Sequence, residues 1–250
     1  MAKFIEPGNP IFNESRLKKQ SQNPSYSGPI IRDEAMTING AVNKTIFLFS
    51  LMMITTAISF VMPTMFLLYV GAIGGLIAVI VAVFKPQWSP TIAPGYALFE
   101  GLFLGTVSFF FMNQFYDGIV YQAVGLTMGT LLTMLLVYKS GLIKVTQKFR
   151  MGVVMATGAI FLVYMFSWIG SFFGFQLPYL HEGGIMGIGI SLVIIGVAAL
   201  NLLLDFDLFE KGEEYQAPKY MEWYAAMSLL ITLVWLYVEF LRLLSKLNRD

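Results

Sequence analysis

Cysteine is absent from this sequence, and histidine occurs once, at His181. Without cysteine there is no disulfide, no thiolate nucleophile, no cysteine-held zinc and no iron–sulfur cluster. A single histidine likewise excludes a multi-histidine metal centre. Charge is the next shortage: Asp, Glu, Lys and Arg make up 12% of the 250 residues, and the formal net charge is +1. A soluble domain carries roughly 25% charged residues because its surface must stay wet. Most of this chain's surface therefore does not face water. Near-neutrality also gives no field to attract nucleic acid. Neither Gly-x-Ser-x-Gly nor His-Glu-x-x-His occurs, so the common hydrolase and zinc-protease signatures are missing. The chain is not expected to be an enzyme.

What fills the sequence instead is apolar: 57% hydrophobic residues, with a mean hydropathy of +0.70. A helix crossing about 30 Å of hydrocarbon needs about 20 apolar residues. Runs of that length fall at about 45–62, 64–84, 95–115, 118–138, 152–174, 184–206 and 220–245. They are continuous rather than alternating, which excludes barrel strands. The expected fold is an all-α membrane protein, a seven-transmembrane-helix bundle. Pro63, Pro94 and the Lys85–Pro90 segment mark span boundaries, and Tyr116-Asp117-Gly118 is a tight hairpin link. Residues 1–43 hold no apolar core of signal-peptide length and read as a flexible cytosolic tail. The transmembrane domain then covers 44–250, with Met36–Lys44 as a short amphipathic lead-in.

Basic residues orient the spans. Six precede or include Lys44, Lys85 lies in the second link, Lys139, Lys144, Lys148 and Arg150 in the fourth, and Lys211 and Lys219 in the sixth. That places thirteen on the N-terminal side against three opposite, Arg242, Lys246 and Arg249. The positive-inside rule then puts the N-terminus in the cytoplasm. Seven spans leave the C-terminus outside, where its three basic residues are the discordant count. An eighth element or a re-entrant last span would remove the discord. Three glycine pairs, Gly101/Gly105, Gly125/Gly129 and Gly183/Gly187, have the spacing that lets helix backbones approach closely.

The informative charges are the acids inside the spans: Glu100 in the third, Asp205 and Asp207 at the end of the sixth, Glu222 and Glu239 in the seventh. A charge in hydrocarbon costs roughly 2.5–3.5 kcal/mol even on the lenient insertion scale. With no basic residue inside a span and Arg242 only near the outer edge, these acids are expected to be protonated, hydrated or neutralised by a cation. Counting in from the span ends brings Glu100, Asp205 and Glu222 to one level near the cytoplasmic face. Asn201 sits one turn before Asp205, and Glu239 lies near the opposite face. Adjacent carboxyls can share a proton, and their oxygens suit hard cations such as calcium. The expected proton or cation site is Asp205, Glu222, Glu100, Asp207 and Asn201, with Asp205 and Glu222 as calcium ligands and no other cofactor. The plainer alternative is that the acids solvate helix ends at the interface.

Three polar-studded stretches carry a resemblance. Ala199-Leu-Asn-Leu-Leu-Leu-Asp-Phe-Asp-Leu-Phe-Glu-Lys-Gly212 resembles the end of the sixth span in the Bax inhibitor-1 (YccA-like) family. Met36-Thr-Ile-Asn-Gly-Ala-Val-Asn-Lys44 and Ala217-Pro-Lys-Tyr-Met-Glu-Trp-Tyr-Ala-Ala226 are similar to its bacterial Bax inhibitor-1-like branch. The resemblance implies a seven-helix fold with a central last helix, a bacterial inner-membrane location and a pH-sensitive calcium leak. It also implies a sensor made by two aspartates, from spans six and seven. Asp205 matches the first; the second falls near Thr232, which is not acidic, leaving Glu222 and Glu100 as the nearest acids. Expected partners are membrane lipid and calcium ions or protons. The alternative is a non-transporting regulator that docks membrane proteases or other membrane proteins through the 1–43 tail and the basic loops.

Overall fold

The structure is a computed structural model that describes residues 35–173 and 184–248. Residues 1–34 of the expected tail, His181, Gly183 and Arg249 lie outside the described residues. Among the described residues seven α-helices follow one another: α1 Ile38–Val61, α2 Met65–Phe84, α3 Ser89–Gln114, α4 Ile119–Lys139, α5 Gln147–Phe172, α6 Gly184–Glu214 and α7 Met221–Leu247. All seven contain stretches long and apolar enough to cross a membrane. Among the described residues there is no strand, only an isolated antiparallel bridge between Ala35 and Pro218. The all-α, seven-span expectation holds.

Threonine starts three of the helices. Thr37, Thr64 and Thr146 are extended N-caps whose side-chain oxygens accept the Gly40, Leu67 and Phe149 amide N–H. Each satisfies one of the amides that a helix start leaves without a partner. These caps move two boundaries. The expected lead-in is the first two turns of α1, so the division at 43/44 falls inside a helix. Span five begins at Gln147 rather than 152.

Pro94 is not a boundary either. A short 3₁₀ turn, Pro86–Trp88, feeds α3, which contains Pro94 in its second turn. That early in a helix a proline removes one backbone bond without breaking the run. Span six continues to Glu214, well past the expected end at 206. It stops in a two-bond reverse turn: Ala217 N–H donates to Gly212 O, Gln216 N–H to Glu213 O, and Gln216 takes a left-handed φ of 50°. Asp205 is thus more than two turns from the end of its helix, and the depth read from the apolar run does not apply.

The chain divides into two compact units, one of residues 1–110 and 205–231, the other of 111–204 and 232–250. In the first unit α3 meets α1 through Gly101 and Gly105. A Cβ at Gly105 would run into the α1 backbone at Thr56 and Phe60. Beside it the Ser59 hydroxyl donates to Leu102 O at 2.6 Å, and its oxygen lies 2.6 Å from Thr106 Oγ1. On α2, Gly71 and Gly75 leave room for the α3 backbone at Phe99–Phe103 and for the Glu100 carboxylate. In the second unit Gly125 and Gly129 face open space. One glycine pair is a packing seam, one is not, and the third is partly outside the described residues. The last helix is the most enclosed: 72% of its apolar window is buried, against at most 50% for any other.

Candidate functional site

Within the first unit, Asp205 on α6 is 2% exposed. The Ser228 hydroxyl on α7 donates to its Oδ1 at 2.6 Å. Ser228 lies one helical turn before Thr232, the position near which the resemblance puts the second acid. Ser228 thus brings a neutral hydroxyl of the last helix to Asp205. It supplies a short hydrogen bond without adding a second carboxyl.

Glu222 has quite different company. It is fully buried in the first turn of α7. Its Oε1 accepts the Thr37 amide N–H at 3.0 Å and the Thr37 hydroxyl at 3.2 Å. Its Oε2 is bonded to the Lys44 ammonium. Gly40 faces the same carboxylate, and any Cβ there would occupy its place. The carboxylate sits at the N-terminal end of α1 while belonging to the N-terminal turn of α7, so both helix dipoles favour its negative charge. Lys44 also lies 5.4 Å from the centre of the Trp223 ring, which meets Phe47 edge to face.

The remaining acids divide similarly. Asp207 pairs with Lys211 one turn on, at 3.2 Å. Glu100 is half-buried, with its Oε2 against Gly75. In the second unit the Asn201 amide is used by Thr157 Oγ1 at 2.8 Å and Val197 O at 2.9 Å. There too the Tyr164 hydroxyl and the Arg242 guanidinium each donate to Glu239 Oε1 at 2.9 Å. Lys246, 5% exposed, donates to Gly187 O at 3.0 Å and Ser191 Oγ at 2.9 Å.

Three expectations change. Acids read as lacking basic partners have them: Lys44 for Glu222, Lys211 for Asp207 and Arg242 for Glu239. Among the described residues no three or more Asp, Glu or His lie close enough to hold a metal ion. The level shared by Glu100, Asp205 and Glu222 is thus not a single three-carboxylate cage. The C-terminal basic residues Arg242 and Lys246 are also occupied within the second unit rather than left as loop charges. Sequence reasoning missed Ser228, Lys44 and Thr37. The one available signal was that Thr37 and Lys44 stand in the same polar stretch that carried the resemblance.

A family description for Bax inhibitor 1 like proteins matches residues 9–249. The chain belongs to the Bax inhibitor 1 like family. Neither curated proteins nor solved structures give a match. In this Bax inhibitor 1 like chain the two stretches singled out at 36–44 and 217–226 are the ones that meet at Glu222.

The second unit yields a stability prediction. Glu239 is 1% exposed, and its Oε2 has no hydrogen-bond partner among the described residues. Tyr164→Phe would remove one of the two donors holding Oε1. Thermal unfolding in detergent should show a loss of about 1–3 kcal/mol, the usual cost of under-satisfying a buried acceptor.

Proposed function

We propose that this protein is a bacterial inner-membrane cation leak pathway, with calcium as the ion carried and carboxylate protonation governing passage. Asp205 is the governing group and accepts the proton. The observation that carries this reading is the pairing of a buried Asp205 with Ser228 across two apolar helices. A carboxylate costly enough to be rare in such a setting is a functional group by default. Family membership supports the reading because Asp205 stands where the resemblance puts the first sensor aspartate. Glu100, half-buried and against a glycine, is the additional acid of the pathway. Glu222, with both oxygens already engaged, is assigned no ion here.

The N-terminus is placed in the cytoplasm and the C-terminus on the opposite face. What supports this is the census of loop charges together with the internal engagement of Arg242 and Lys246. The test is calcium flux in proteoliposomes, comparing the wild type with Asp205→Asn and with a chain lacking residues 1–34. Flux in the wild type, altered by Asp205→Asn and kept without the tail, is the expected result. Absence of wild-type flux, or indifference to Asp205→Asn, refutes it. A cellular function abolished by tail removal but untouched by Asp205→Asn would favour the membrane regulator instead.

A further inference from the structure

We infer that residues 35–44 form a strap that fixes the start of α7, making Glu222 a positioning residue for Asp205 rather than a ligand of the ion. The inference rests on the reading of Asp205 as the governing group. Its own ground is the density of contacts at the strap. Met36 N–H donates to Ala217 O at 2.7 Å, and Ala35 bridges Pro218. Ile38 N–H donates to Glu213 Oε1 at 3.1 Å, and the Met36 side chain lies against Gly212, which has no Cβ to displace it. The strap therefore holds the last turn of α6, the loop and the first turn of α7 together. Glu222 closes it through Thr37 and Lys44.

Geometry carries the effect to Asp205. Ser228 lies six residues beyond Glu222 on the same helix, about 9 Å along its axis. A helix is stiff over that length, so a shift of α7 at Glu222 is passed to Ser228. The Ser228–Asp205 bond is short at 2.6 Å, and a displacement of about 1 Å would take it outside hydrogen-bonding range. Glu222, Thr37 and Lys44 are thus expected to act on Asp205 through Ser228. Both oxygens of Glu222 are already held and Gly40 fills the space beside them, so the residue is poorly placed to take part in ion exchange.

The experiment is infrared difference spectroscopy on the full chain, reading the Asp205 carboxyl band assigned by its disappearance in Asp205→Asn. The variants are Ser228→Ala, Glu222→Gln, the double substitution and Lys44→Arg. Ser228→Ala and Glu222→Gln should move the band in the same direction. The double variant should move it no further than Ser228→Ala alone, because the two act in series. Lys44→Arg, which retains the ion pair, should leave it in place. If Glu222→Gln does not fold, Thr37→Val removes one donor to Glu222 together with the α1 cap and should give a smaller shift of the same sign. A band unmoved by Glu222→Gln and Thr37→Val, or shifts that add in the double variant, overturns the inference. The spectrum needs no flux. A moved band without a leak would sink the transport reading alone, and a leak with an unmoved band would sink the strap alone.

Discussion

Lys44→Met should cost this protein about 3–5 kcal/mol, the usual result of removing one partner from a buried ion pair. The cost falls on the partner left behind. Glu222 has 1% of its side chain exposed, whereas Lys44 keeps 18%. An orphaned Lys44 can reach water, but an orphaned Glu222 carboxylate cannot. Glu222→Gln should therefore cost much less than Lys44→Met. The double variant, Lys44→Met with Glu222→Gln, should recover most of the loss, because no buried charge then remains. Denaturant or thermal unfolding of the purified protein in detergent measures all three. Equal losses for the two single variants would mean that the carboxylate is not the buried, dependent member of the pair.

The second large effect separates two glycine pairs with the same spacing. Gly105→Ala should destabilise by about 1–3 kcal/mol, as expected when a methyl is forced into a filled seam. Its Cβ would meet α1 backbone atoms of Thr56 and Phe60, which cannot turn aside as a side chain can. Gly129→Ala meets nothing and should stabilise by up to about 1 kcal/mol through helix propensity. Opposite signs are expected from one type of substitution. If both prove neutral, the close approach of α1 and α3 is wrong.

These cases show where sequence reasoning reached and where it stopped. Span number and type were legible because twenty-residue apolar runs have one stable form in lipid. The limits of α2 and α4 came out within a residue or so of the apolar runs. The start of α1 did not, since it is set by a threonine cap and by a carboxylate 185 positions away. Glycine spacing marked Gly101/Gly105 and Gly125/Gly129 alike, because what faces each pair is a matter of packing and leaves no local trace. The acids were found, but their partners were not. Lys44 precedes its apolar run and reads only as one more basic residue on the N-terminal side, and depth along a span does not reveal the neighbours of Glu222. Ser228 was missed because a hydroxyl one turn from Thr232 carries no charge to draw attention to it. Distances along a chain locate a level, but the structure decides which groups touch.

The central claim is that one carboxylate, Asp205, governs ion passage, and the pH profile of calcium flux tests it most directly. Wild type and Asp205→Asn would be reconstituted at equal density and flux measured in matched vesicles across a range of pH. Wild-type flux should change with pH, and Asp205→Asn should flatten the profile while the protein remains folded. A profile that keeps its full pH dependence in Asp205→Asn would contradict the account.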